Sequence, residues 1–246
     1  MTQSVENLTL AGTTAIVTGA SRGFGNAIAA AFAAADVKVV GVARSRARLE
    51  GDHFTSVAAD AADPEVANRL VDEHQPQTLV LCAGATPTMS PLHEQTWESF
   101  SQTWNVDVAQ AFNWCRAALR RPLAPGSTVI VMSSGAALNG SPLSGGYAGA
   151  KAAVKFVADY AAIESERAGL GIRFVSVLPR LTPATELGAK AVAAYADRQG
   201  VDVDAFLEAA GPALTAEQVG RSVLELANGG RDGSYLLTAA GLSTIN

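Results

Sequence analysis

Short, mainly apolar runs alternate along this chain with longer stretches in which apolar residues recur every third or fourth position. The runs are residues 14–18 (TAIVT), 37–43, 54–58, 78–82 (TLVLC), 128–132, 172–178 and, shorter, 235–238. Largely apolar and rich in valine, they predict strands buried on both faces rather than strands with one wet side. Helical periodicity fills the intervals at residues 25–35, 64–73 and 149–168. Asp63 before Pro64 reads as an N-cap with proline at the first helical position. Thr215 followed by Gln218 reads as a capping box for a helix reaching Ala227. Phe100, Trp104, Val108, Phe112, Cys115 and Leu119 recur at steps of four and three, which predicts one face of a single long helix. The segment after Pro179 is helical but irregular.

Strand and helix in strict alternation imply a parallel sheet covered on both sides, and right-handed crossovers make it a doubly wound, Rossmann-type α/β sheet. Ligands bind such sheets beyond the carboxyl ends of the strands. Chemistry is therefore expected just after Thr18, Ala43, Cys82, Met132 and Leu178. No repeat or low-complexity linker divides residues 1–246, so one catalytic domain is expected, with residues of about 180–214 as its substrate loop.

Composition narrows the function classes. Hydrophobic residues make up 48% and charged residues 17% of the 246, which suits a packed core. A net charge of −5 offers no basic footprint for nucleic acid. Cys82 and Cys115 cannot build a disulfide framework, and His53, His74 and His93 lack zinc spacing, so no metal is expected. No stretch approaches the roughly 18 apolar residues of a membrane span. The first ten residues lack a basic start and an apolar run, so a cytoplasmic location is expected.

Thr18-Gly19-Ala20-Ser21-Arg22-Gly23-Phe24-Gly25 stands between the first strand and the first helix. Glycines there let backbone approach a bulky anion, and the helix start adds unpaired N–H donors for a pyrophosphate. The spacing is not the Gly-x-Gly-x-x-Gly of the common dinucleotide fingerprint. It resembles the Thr-Gly-x-x-x-Gly-x-Gly loop of the short-chain dehydrogenase/reductase family, and the resemblance runs over about residues 11–237. It implies a seven-stranded parallel sheet and a nicotinamide cofactor held by Gly19, Ser21, Arg22, Gly23, Phe24 and Gly25. Arg44 follows the second strand where a carboxylate would select NAD. Guanidinium suits a phosphate, and with Arg22 it resembles the basic pair of the NADP-preferring branch, so NADP(H) is expected; the alternative is a merely solvated arginine. Asp60 and Ala61 match the family's adenine contacts.

Ser134, Tyr147 and Lys151 match the family's Ser…Tyr-x-x-x-Lys signature, and Asn105 is taken as its fourth member. Tyr147 and Lys151, four apart, share a helix face. The resemblance implies that Ser134 holds the substrate oxygen, that Tyr147 moves the proton and that Lys151 lowers the phenol toward neutrality from about pH 10. Asn105 would hold a water chain. Ser133 competes with Ser134, and spacing favours the latter. The family's Asn-Ala-Gly is here Cys82-Ala83-Gly84, with Ala83 and Gly84 expected at the cofactor and the lost amide bonds a local weakness. Its Pro-Gly is Pro179-Arg180. Thr182 or Thr185, the former preferred, would bond the carboxamide. Arg180 would face an anionic substrate group, solvent or another subunit. Ala85, Ala136, Leu138, Leu143, Leu181, Leu187 and Tyr195 are expected to wall an apolar pocket for a small hydrophobic or weakly polar carbonyl or alcohol. The whole implies a carbonyl reductase, dimeric or tetrameric by resemblance. The alternative is a non-catalytic NADP(H)-binding sensor or scaffold, against which the full set of site residues counts.

Overall fold

The computed structural model describes residues 10–47, 49–230 and 232–245; residues 1–9, most of the segment weighed as a leader, lie outside them. The strands are β1 Thr14–Thr18, β2 Lys38–Ala43, β3 Phe54–Ala58, β4 Thr78–Leu81, β5 Thr128–Met132, β6 Arg173–Pro179, β7 Gly233–Thr238 and β8 Gly241–Ile245. Their order across the sheet is β3-β2-β1-β4-β5-β6-β7-β8. The first seven pair in parallel, as the apolar runs imply. The eighth is an addition: β8 folds back antiparallel on β7, with Thr238 opposite Gly241. Ser243 and Thr244 are exposed on this edge strand, so it carries none of the apolar signature of the buried ones.

Because successive side chains point to opposite faces, each buried strand feeds two cores. Ile16, Val42, Leu79, Leu81, Val129 and Phe174 pack on one face. Ala15, Val17, Val39, Val80, Ile130 and Val175 pack on the other. The first face is covered by α2 (Pro64–His74), α4 (Ala109–Arg120) and α6 (Gly145–Arg167). Trp114 of α4 is fully buried there and donates from Nε1 to the Ala61 carbonyl at 2.8 Å. The second face is covered by α1 (Gly23–Ala33) and α9 (Ala216–Ala227), which pack closely on each other. The Asp63 cap and the Thr215–Gln218 capping box both form.

The stretch expected as one long helix is interrupted. It consists of α3 (Trp97–Thr103), a π-helical turn at Trp104–Val108, and α4. A π turn adds a residue to the helical repeat and rotates the succeeding turns out of phase. Periodicity alone could not show this, because the apolar residues on either side still fall at steps of three and four. A four-residue turn of helix, α5 (Ala136–Asn139), precedes α6. The irregular segment after β6 resolves into α7 (Glu186–Gln199) and α8 (Val203–Ala210).

Candidate active site

Strand order reverses between β1 and β4, and a cleft of about 950 Å³ opens above the carboxyl ends of the strands at that point. Gly19, Ser21, Arg22, Gly23, Phe24, Gly25, Arg44, Asp60, Ala61, Ala83, Gly84, Ser134, Tyr147, Lys151, Pro179 and Thr182 all border it. Its floor is close-packed backbone. Gly19 has φ +71°, and a Cβ there would stand 2.8 Å from the Ala83 backbone, while a Cβ on Gly25 would strike the Gly19 carbonyl. Arg22 precedes α1 without capping it, and no acidic residue sits in the first turn. The amides at the start of α1 therefore remain open to an anion. Glycine cradle and uncapped helix start fit the pyrophosphate of a dinucleotide.

On the other side of the cleft, β5 delivers Ser133 and Ser134, and the first turns of α6 deliver Tyr147 and Lys151. Ser133 turns inward, its hydroxyl donating to the Lys151 carbonyl at 2.7 Å. Ser134 keeps its hydroxyl at the cleft, where it accepts the Ala136 N–H at 3.2 Å and lowers the Tyr147 phenol. Lys151 is buried, its Nζ donating to the Met132 carbonyl at 2.9 Å and lying 5.7 Å from the centroid of the Tyr147 ring.

The ammonium has a third partner. Asp107, in the π-helical turn, places Oδ2 3.0 Å from Lys151 Nζ, and both side chains are shut from solvent, at 1% and 8% exposed. Its Oδ1 accepts the Ala85 N–H at 2.8 Å. Burial alone would push the lysine down, but Asp107, with Tyr147 helping, holds it above its ordinary value. The phenol behaves differently from expectation. Burial raises Tyr147 above its usual value; Lys151 and the Ser134 hydrogen bond pull it down, Asp107 and Cys82 push it up, and the net direction is upward.

Asn105, taken as the fourth catalytic member, is exposed and does not border the cleft. The π turn carries Asp107, two residues on, to the place beside Lys151. The sequence signal was an acid between Val106 and Val108, masked by the amide two residues earlier. Thr182 borders the cleft but is buried, its hydroxyl donating to the Leu214 carbonyl and accepting from Ala184 N at 3.2 Å. Thr185, the other candidate, uses its oxygen to cap α7 and retains its hydroxyl proton. Asp60 accepts the Ala62 N–H at 2.9 Å through Oδ1. Ala85, Ala136, Leu181, Leu187 and Tyr195 wall the pocket; Leu138 and Leu143 do not, and Met89 and Phe206 join it.

Cys82 does not leave the strand end weak. Gln110 of α4 inserts its amide there: Oε1 accepts from Ala83 N at 3.1 Å and from the Thr18 hydroxyl, and Nε2 donates to the Ala83 carbonyl at 2.9 Å. Burial pushes the Cys82 thiol up to about 11, against the pull of Lys151, so it stays protonated near neutrality.

Removing one partner of a buried ion pair strands the other. Lys151→Met should lower unfolding stability by about 3–5 kcal/mol, and adding Asp107→Leu should recover about half of that or more. Urea unfolding of the two variants measures both.

Residues 13–196 match the family model described as short chain dehydrogenase. The short chain dehydrogenase/reductase AacuD of Aspergillus aculeatus is 33% identical over 181 residues, 68% of this chain and 63% of that protein. The chain thus spans under two thirds of that relative's length. D-threitol dehydrogenase of Mycolicibacterium smegmatis is 30% identical over 210 residues, 78% of this chain and 80% of its own. In three dimensions, the 3-ketoacyl-(acyl-carrier-protein) reductase of Brucella melitensis, solved with NADH, superposes with a TM-score of 0.71 at 23% identity, covering 89% of this chain and 91% of that one. The matched stretch contains both the glycine loop and the Tyr147–Lys151 helix turn, and on that ground the chain belongs to the short-chain dehydrogenase/reductase family.

Proposed function

We propose that this chain is a cytoplasmic, NADP(H)-dependent carbonyl reductase that moves a hydride between the nicotinamide and a carbonyl or secondary alcohol. The observation that carries the reading is the meeting of Ser134, Tyr147 and Lys151 in the same cleft as the glycine loop. A bound nicotinamide supplies or takes up the hydride. The protein's part is to bind, orient and protonate. Ser134 donates to the substrate oxygen and holds it against the phenol. Tyr147 gives that oxygen its proton, or withdraws it in the reverse direction. Lys151, fixed by the Met132 carbonyl, holds its charge beside the phenol ring.

Cofactor choice rests on Arg44 and Arg22. Arg22 pairs with Glu186 of α7 at 2.6 Å, with both side chains more than half exposed, so a phosphate can replace the carboxylate at small cost. Arg44 lies at the end of β2, where the adenosine ribose of a dinucleotide would lie. The pocket walls, Ala85, Ala136, Leu181, Leu187, Tyr195 and Phe206, suit a hydrophobic or weakly polar substrate.

A further part of the reading is self-association. Trp97, Phe112, Phe156, Tyr160 and Ile163 are each more than half exposed, on α3, α4 and α6. Exposed apolar side chains gathered on neighbouring helices mark a contact surface, and we assign it to a second copy of the chain.

Tyr147→Phe should lower NADPH-dependent reduction of a ketone panel by about 100-fold or more while leaving NADPH binding by fluorescence intact. Binding without turnover by the native chain on every ketone, quinone and polyol tried would favour a sensor. Arg44→Asp should weaken NADPH about 10-fold or more, the scale of one charge-assisted contact, and turn preference toward NADH; unchanged NADPH affinity by titration would refute the phosphate assignment. Gel filtration should show a dimer or tetramer, and Phe156→Glu should shift it toward the monomer.

A further inference from the structure

The Lys151–Asp107 pair has a consequence for the direction of proton transfer, and it rests on the reading of the cleft as a carbonyl-reducing site. An ammonium beside a phenol favours phenolate. Here that ammonium is matched, 3.0 Å away, by a carboxylate that is itself shut from water. Asp107 is held by two further constraints. Its Oδ1 takes the Ala85 N–H, and Gly84 leaves so little space that a Cβ there would stand 2.8 Å from Oδ2. The carboxylate therefore cannot swing away from the lysine without losing a buried hydrogen bond.

We propose that Asp107 is a positioning residue whose carboxylate, by matching the Lys151 charge, keeps Tyr147 a neutral phenol and so sets the site to protonate a carbonyl oxygen rather than deprotonate an alcohol. In the forward step a bound dihydronicotinamide would give up a ring C–H bond as hydride, forming the new C–H bond on the carbonyl carbon and leaving oxidised nicotinamide. The carbonyl π pair moves to oxygen, and the Tyr147 O–H breaks to supply the proton. The phenolate left behind recovers a proton from solvent. Oxidation needs the phenolate at the outset, and a phenol with no net positive neighbour reaches that state only at higher pH. The overall equilibrium is untouched; what Asp107 sets is the pH range in which each direction runs.

The groups facing Tyr147 come from four elements. From α6 comes Lys151, from the β5 end the Ser134 hydroxyl, from the π turn Asp107, and from the β4 end the Cys82 thiol; burial, Asp107 and Cys82 outweigh Lys151 and Ser134. Among the described residues, the other charged groups bordering this half of the cleft are Arg180, after β6, and Glu186 and Lys190 on α7. Glu186 and Lys190 pair with each other at 2.8 Å.

The test uses cofactor-free protein and the ultraviolet absorbance of phenolate. Titrating each protein against its own Tyr147→Phe counterpart isolates Tyr147 from Tyr160, Tyr195 and Tyr235, with circular dichroism followed at each pH. Asp107→Asn should bring the Tyr147 phenolate in at a pH lower by about one unit or more, the scale of one neighbouring charge. Asp107→Ser, which removes the same charge with less bulk, should do likewise and stands in if the asparagine variant does not fold. The pH profile of alcohol oxidation should move down by the same interval in kcat, with KM little changed. A phenolate midpoint that does not move in a folded variant overturns the proposal. A shifted midpoint in a protein that turns over no alcohol or ketone supports the electrostatic role of Asp107 and refutes the reductase reading instead.

Discussion

Parallel neighbours in a sheet cannot be joined by a tight turn; the chain must cross back over one face before the next strand begins. In this protein that requirement governs both the cores and the cleft. Each return trip deposits a helix on the sheet, so strands β1, β2, β4, β5 and β6 lose both faces to apolar packing. Every loop that leaves a strand's carboxyl end emerges on the same edge. The glycine loop, Arg44, Cys82-Ala83-Gly84, Ser134 and Pro179 come from sequence positions far apart, yet share one rim for that reason. Where the winding reverses between β1 and β4, adjacent loops diverge and the rim opens.

Within that rim, charge is arranged with little slack. A lysine and an aspartate have been taken out of water together, and each also answers to the backbone: the lysine to Met132, the aspartate to Ala85. Such pairs gain little net stability over an apolar replacement, and their common use is to fix a unique arrangement. Here the arrangement fixed is the position of a charge relative to a phenol.

The buried strands and the element order were legible because covered strands are apolar at most positions. The edge hairpin was not, since β8 places Ser243 and Thr244 in solvent and looks like loop. The glycine loop, Ser134, Tyr147 and Lys151 were legible because their spacing is local: one turn of helix, one strand-to-helix connection. That Asn105 faces solvent while Asp107 meets Lys151 was not legible, because a π turn leaves no mark in hydrophobic spacing. The bond from the Thr182 hydroxyl to the Leu214 carbonyl was not legible, because that partner is distant in sequence and nothing in the intervening chain announces the contact. Gln110 was missed for a similar reason: a polar residue on an amphipathic helix reads as solvated until the neighbouring strand end is known.

That glutamine has mechanical consequences. Its single amide joins the tip of β1, the tip of β4 and the helix that continues from the π turn. Thr18 tightens the same knot by accepting from Cys82 N at 2.9 Å. The ends of β1 and β4, and with them the glycine loop, are thereby tied to α4. The facing wall, α7 and α8, is anchored across the gap through an exposed Arg22–Glu186 contact and the Tyr195–Ser141 hydroxyl pair. One bank of the cleft is thus tied by buried amide bonds, the other by contacts nearer to water.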